Sequence, residues 1–307
     1  MIGKSFWIHE NRKKLVNFKN LKKNHHHAYL IIGPENTGKL TLALKLAQIF
    51  LESENIESHP DLAIIQPDNA KNPKISIADI KEVRNKAQLS ASYGGSKVFI
   101  ISSAEKMTVE AQNALLKTLE EPAEKTIFIL TVTSEKLLLP TILSRCQKIK
   151  IPLLPQQQIK NYLNIKELKK AEIISRLSLG KVGLALKISE NQEMMTNILE
   201  KFKQIIKVIK DKNLINRFQK ANEFSNPQSF HQYAECFEVI FRDLLHLKIG
   251  SSQYLINFHN QSELAEISAN YTIEEIVNIL KEIKKIKLSF RQNVNPKFAF
   301  ENLILML

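Results

Sequence analysis

Five short apolar runs, Tyr29–Ile32, Leu62–Ile65, Val98–Ile101, Ile127–Val132 and Ile149–Ile151, punctuate the first half of the chain. A strand with one face in water alternates polar and apolar residues. Nearly unbroken apolar strands, separated by helical stretches, indicate a parallel sheet covered on both faces. The helical period shows in Leu42, Leu44, Leu46, Ala47 and Phe50, and again in Ala111, Ala114, Leu115, Thr118 and Leu119. Glu120-Glu121-Pro122 stops the second helix, because proline lacks a donor and disfavours helical backbone in its predecessor. Pro60, Pro67 and Pro73, with several Asn and Asp, mark the segment from Ser53 to Pro73 as connecting chain around one short strand. The α/β block ends near Pro152, which predicts a first domain over residues 1–152.

Beyond Pro155 the strand signal fades. Gln156–Leu163, Lys166–Leu179 and Val182–Ser189 read as three short helices, with Gly180 and Gly183 marking a turn. They predict a small helical domain over residues 153–192. From about Met194 longer amphipathic helices follow, including Ile198–Ile209, Phe230–Leu247, Ile273–Leu288 and Phe298–Leu307, and these predict a helical domain over residues 193–307. The expected fold class is therefore α/β plus all-α.

The chain has 307 residues, and no apolar run approaches the roughly 20 residues a membrane span needs. Its beginning lacks the apolar core of a signal peptide, so a cytoplasmic protein with no membrane partner is expected. Cys146 and Cys236 are too few for a four-thiolate zinc site or a disulfide framework. His25, His26 and His27 precede a strand and diverge, so no metal site is expected. The net charge of +13 suggests an anionic partner. Only seven of the 44 basic residues are Arg, however, and lysine commonly just solvates helix faces.

The first strand runs into Gly33-Pro34-Glu35-Asn36-Thr37-Gly38-Lys39-Leu40-Thr41, which has the phosphate-loop spacing through Lys39. In a working loop, backbone amides and the helix amino terminus cradle phosphate, the lysine reaches the terminal phosphates, and the next Ser or Thr holds magnesium. Here Gly33, Gly38 and Lys39 keep the cradle and the charge, and Leu40 removes the magnesium ligand. Thr41 lies about 100° further round the helix and is expected to point away. Ser102 stands at the end of the third strand, where a hydrolase needs an aspartate for the metal. Glu105 and Glu110 follow it, each more simply explained as an acid early in a helix. Weak nucleotide binding remains compatible with this loop; magnesium-dependent hydrolysis does not.

Leu139-Pro140-Thr141-Ile142-Leu143-Ser144-Arg145-Cys146 sets one arginine between a short helix and the last strand, at an edge of the sheet domain. Spacing alone leaves two uses open. Arg145 is either a finger that stabilises phosphate charge in a neighbouring subunit, or a local salt bridge and carboxyl-terminal helix cap.

Several strings resemble the AAA+ clamp-loader family of the bacterial replicative polymerase. They are His27-Ala28-Tyr29-Leu30 before Gly33-Pro34, Gly38-Lys39-Leu40-Thr41, His59-Pro60-Asp61 and Gly95-Ser96-Lys97-Val98. Asn113-Ala114-Leu115-Leu116-Lys117-Thr118-Leu119-Glu120-Glu121-Pro122 and Ser144-Arg145-Cys146 complete the set. The likeness covers about residues 6 to 152 and is architectural beyond. It implies a RecA-like AAA+ domain, a three-helix lid and a carboxyl-terminal collar that joins subunits. It further implies a non-catalytic stator within a DNA-directed DNA polymerase complex, which loads a sliding clamp on primed DNA. The implied partners are gamma/tau-like ATPase subunits and a delta-like subunit, with Arg145 as trans finger and Ser144 and Cys146 completing its motif. Two departures stand out. Leu51 to His59 lacks the cysteines of the zinc module found in many relatives, so no zinc is expected. Gly183 occupies the position where the family's helical sensor usually carries an arginine.

Two other readings compete. One is an active motor using Thr41 and Glu105. The other is a DNA-binding module built on Arg12, Lys13, Lys14, Lys19, Lys22 and Lys23, or on Lys281, Lys284, Lys285, Lys287 and Arg291.

Overall fold

The apolar runs form a five-stranded parallel sheet in the order β2-β3-β4-β1-β5: β1 Ala28–Ile32, β2 Leu62–Ile65, β3 Lys97–Ile101, β4 Thr126–Val132 and β5 Gln147–Lys150. The structure is a computed structural model and describes residues 26–307 apart from 69, 71–72, 164, 227–228 and 290–295. Every residue of β1, β3 and β4 is buried, as two-sided coverage demands. Alternate side chains serve opposite layers. Leu30, Phe99, Phe128 and Leu130 pack with α2 (Ile77–Gln88), α3 (Val109–Glu120) and the short α4 (Pro140–Leu143). Tyr29, Ile31, Ile100 and Ile129 pack with α1 (Lys39–Phe50).

Several strings of the family likeness have structural work. Asp61 accepts hydrogen bonds from the amides of Ser92 (2.8 Å) and Tyr93 (3.3 Å), fixing the turn before β3. Buried Lys97 donates its ammonium to the carbonyls of Lys86, Ala87 and Leu89, capping the carboxyl end of α2. Ser76 and Asp79 form a capping box at the start of α2, and Thr108 caps α3.

The chain divides into two compact units. The first runs to Lys166 and includes Ser178–Leu186, and the second comprises Glu167–Leu177 and Lys187–Leu307. Helix α5 is Gln156–Leu163, α6 is Leu168–Leu177, and α7, Val182–Glu190, spans the division. Gly180 sits in the turn with φ +80°, where a Cβ would lie 2.8 Å from Leu153 Cβ. Gly183 is not a turn residue: it lies in the first turn of α7, where its amide meets the backbone at Asn36.

The second unit continues with α8 (Gln192–Lys210), α9 (Leu214–Phe224), α10 (Phe230–Lys248), α11 (Gln261–Ala269), α12 (Ile273–Ser289) and α13 (Pro296–Leu305). Asn191 caps α8, which explains its early start. Rings of Phe224, Phe230, Phe237 and Phe300 meet at centroid distances of 5.2 to 6.0 Å. Asp243 of α10 is fully buried and accepts from the amides of Ile256 (3.0 Å) and Asn257 (2.8 Å) and from the Asn257 side chain (3.1 Å). Burial raises its pKa, and the three donors pull the other way. Arg176 of α6 donates to the carbonyls of Gln253 and Leu255 and lies 4.8 Å over the Phe258 ring. These two side chains pin a segment that has no regular ladder of its own. Asp243→Ala leaves three donors without their acceptor and is expected to cost about 2–4 kcal/mol of stability. Equilibrium denaturation checks this, and a loss below 0.5 kcal/mol, within the ordinary range of surface changes, contradicts it.

Candidate functional site

The phosphate loop leaves the carboxyl end of β1 and enters α1 through Gly38, whose φ of 82° suits glycine. Asn36 is also left-handed, at φ 58°. Buried Thr37 donates its hydroxyl to Pro34 O at 2.8 Å. Helix α1 has no side-chain cap and no acid in its first turn. The lysine, however, is turned inward. Lys39 Nζ donates to Gly33 O at 2.8 Å and Pro34 O at 3.0 Å. Burial lowers its pKa, while Glu105 and then Glu35 raise it. Leu40 packs against the apolar cluster of the α1 face and so adds core contact at the position where a working loop carries its magnesium ligand. Thr41 is half-buried in the first turn of α1.

The ends of β3 and β4 border the loop. Ser102 continues the β3 ladder, its amide donating to Ile65 O at 2.8 Å. Ser103, at φ 56°, donates its amide to Thr131 Oγ1 at 3.0 Å. Glu105 belongs to a single 3₁₀ turn, and its Oε1 accepts from the Thr133 amide at 3.2 Å. Its other oxygen is buried without a hydrogen-bond partner, in the field of Lys39. Glu110 is an exposed first-turn acid of α3, its pKa lowered chiefly by a backbone hydrogen bond and then by Thr108.

The start of α7 closes on the same loop. The Gly183 amide donates to Asn36 O at 2.7 Å, and a Cβ at position 183 would stand 2.7 Å from that oxygen. A side chain there would force the two backbones apart.

Arg145 stands elsewhere. The register pairs Tyr29 with Gln147 and Ile32 with Lys150, so Arg145 lies at the amino edge of the sheet and the phosphate loop at the carboxyl edge. The four residues of β5 alone separate the two by about 13 Å. Each member of the Ser-Arg-Cys motif has a distinct place. Ser144 Oγ closes the α4 turn by donating to Thr141 O at 3.0 Å. Cys146 is buried in the core, where desolvation pushes its thiol up to about 12 and leaves it unreactive. Arg145 is about one-third exposed, with Nη1 on Thr141 O at 2.9 Å and Nη2 on Glu120 Oε1 at 2.7 Å. Both local contacts that the spacing allowed are thus present. Two residues bear no mark of their role in the sequence: Glu120, which pairs with Arg145, and buried Gln112, whose Oε1 accepts from Leu139 N at 3.0 Å and fixes the entry to α4.

Of the basic groups offered for DNA, Lys281 bonds Asn278, Lys285 pairs with Glu282 and Lys287 pairs with Glu238; Lys284 is exposed. Arg12, Lys13, Lys14, Lys19, Lys22, Lys23 and Arg291, like His25, lie outside the described residues. Among the described residues no three His, Cys, Asp or Glu side chains gather as a metal ion requires, and no helix is long and apolar enough to cross a membrane.

Comparison with known proteins places these features in a lineage. Residues 9–155 match the family model described as DNA polymerase III, delta subunit. The chain is 30% identical to the Bacillus subtilis DNA polymerase III subunit delta', across 92% of this chain and 90% of that one. It is 35% identical to the Bacillus subtilis subunit tau over 47% of this chain and 28% of that one. A crystal structure of a DNA polymerase III gamma subunit-related protein from Thermotoga maritima shares the fold, with a TM-score of 0.51 at 23% identity, over 94% of this chain and 96% of that one. The protein therefore belongs to the DNA polymerase III delta' family, the AAA+ clamp-loader components whose α/β domain and helical carboxyl-terminal part it has.

Proposed function

We propose that this chain is the non-ATPase stator of its clamp loader and acts on ATP only in a neighbour's site. Arg145 carries the reading: it is partly exposed at the sheet edge opposite its own phosphate loop, which supports a role toward an anion that another subunit brings. An arginine delivered in this way to a transferring phosphoryl group contributes roughly 10³–10⁵ in rate. The neighbour is a gamma/tau-like ATPase, and a delta-like subunit completes the assembly that places a sliding clamp on primed DNA. Residues 193–307 serve as the collar, a role supported by exposed apolar side chains such as Leu214, Ile215, Phe298 and Leu305. Residues 153–192 act as the lid.

The loop is a structural joint in this reading. Lys39 satisfies loop carbonyls, Leu40 fills the core, and Ser102 supplies no charge for a metal. A motor that uses Thr41 and Glu105 would have to work through the buried Glu105 Oε2, because Oε1 already accepts from the Thr133 amide. No metal, zinc or resident cofactor is assigned, and nucleotide contact at the loop is at most weak.

With ATP and magnesium, the isolated chain is expected to give no steady turnover, and Lys39→Ala to lower stability by about 1–2 kcal/mol through its lost carbonyl contacts. Turnover abolished by Lys39→Ala would contradict the stator reading. In the reconstituted loader, Arg145→Ala is expected to leave this subunit folded and to slow ATP hydrolysis by at least about tenfold, a lower bound on the roughly 10³–10⁵ that a trans arginine supplies at its own site. An unchanged rate would refute the finger.

A further inference from the structure

We propose that Glu120 is the positioning residue for Arg145, a resident counter-anion that holds the guanidinium until a neighbour's phosphate replaces it. The inference rests on the finger reading above and extends it to a residue that reading does not use.

Three observations converge on Glu120. Its Oε1 lies 2.7 Å from Arg145 Nη2, while the Nη1 edge is held by Thr141 O at 2.9 Å and Ser144 Oγ at 3.4 Å. The guanidinium is folded back over its own α4 turn, with the carboxylate closing the outer side. Second, Glu120 is the last residue of α3, where a carboxylate faces the negative end of the macrodipole. Helix stability does not favour an acid there, whereas a cation partner offsets the repulsion. Third, α3 also carries Gln112, which fixes the amide of Leu139 at the entry to α4. One rigid helix therefore sets both the backbone that presents Arg145 and the charge that orients it.

The chemistry makes Glu120 and phosphate alternatives. A carboxylate and a phosphate offer the guanidinium fork the same paired oxygen acceptors. With Glu120 in place, an arriving phosphate must displace it from Nη2 or approach beside a like charge. Both partners are partly exposed, 34% for Arg145 and 47% for Glu120, so the pair is weak enough to exchange. Glu120 thereby keeps the arginine ordered and charge-compensated in the unassembled chain, at a modest cost in affinity for the neighbour's nucleotide.

The test is the ATPase of the loader reconstituted from the full chain and its gamma/tau-like subunits. Glu120→Gln keeps shape and an oxygen acceptor but removes the charge. It is expected to raise kcat/KM for ATP about two- to fivefold, the range of a weak surface ion pair. The gain should come through a lower KM and shrink as salt is added, because screening already weakens the wild-type pair. Glu120→Asp, which retains the charge, should return KM toward wild type. A purely structural salt bridge would move the melting temperature and leave KM where it was. Unchanged or lowered kcat/KM in Glu120→Gln, beside a slow Arg145→Ala, overturns the counter-anion and leaves the finger standing. Normal hydrolysis in Arg145→Ala overturns both.

Discussion

Strand β1 is hydrogen-bonded on both edges, to β4 and β5, and buried along its whole length. A central parallel strand has no freedom to slip, because a shift of one residue would exchange the two sets of side chains that its layers need. That constraint fixes the two features that matter for function. The phosphate loop must leave from the carboxyl end of β1, and Arg145 must enter β5 beside its amino end. The arginine and the loop are therefore kept apart by the sheet itself, which supports the proposal that any anion Arg145 serves comes from outside this chain's own loop.

The loop keeps the outline of a nucleotide cradle and fills it with its own groups. Thr37 and Lys39 donate to loop carbonyls, and Asn36 O takes the Gly183 amide. Glycine at 183 permits that approach, because any side chain there would begin with a Cβ 2.7 Å from Asn36 O. Leu40, at the start of α1, adds apolar contact to the core on that side of the sheet. These contacts support the proposal that the fold retains the loop for the strand-to-helix turn.

Much of this was legible because it rests on local pattern. Apolar runs placed all five strands to within two residues, most fully β1, β3 and β4, where burial on both faces leaves no room for polar alternation; in β5 only Ile149 is buried. The long helices showed through their periodicity, whereas α2 has only Ile80, Val83 and Ala87 buried and was not singled out. What escaped the sequence were contacts made across distance. Glu120 read only as part of a helix stop, because nothing in Glu-Glu-Pro announces a partner 25 residues later. Gly183 read as a turn, because a close backbone approach leaves no mark on the sequence beyond the glycine itself. Glu105 read as an early-helix acid, yet it ties the end of β3 to Thr133.

The central claim is that this chain's chemistry points outward, and the most direct measurement is a structure of the assembled loader with a non-hydrolysable ATP analogue. The account predicts the Arg145 guanidinium within hydrogen-bond reach, about 3 Å, of the terminal phosphate held by the adjacent subunit. It also predicts Glu120 released and Lys39 still on the Gly33 and Pro34 carbonyls. Analogue and magnesium seated in this chain's own loop, with Arg145 still bound to Glu120 and remote from any phosphate, would contradict it.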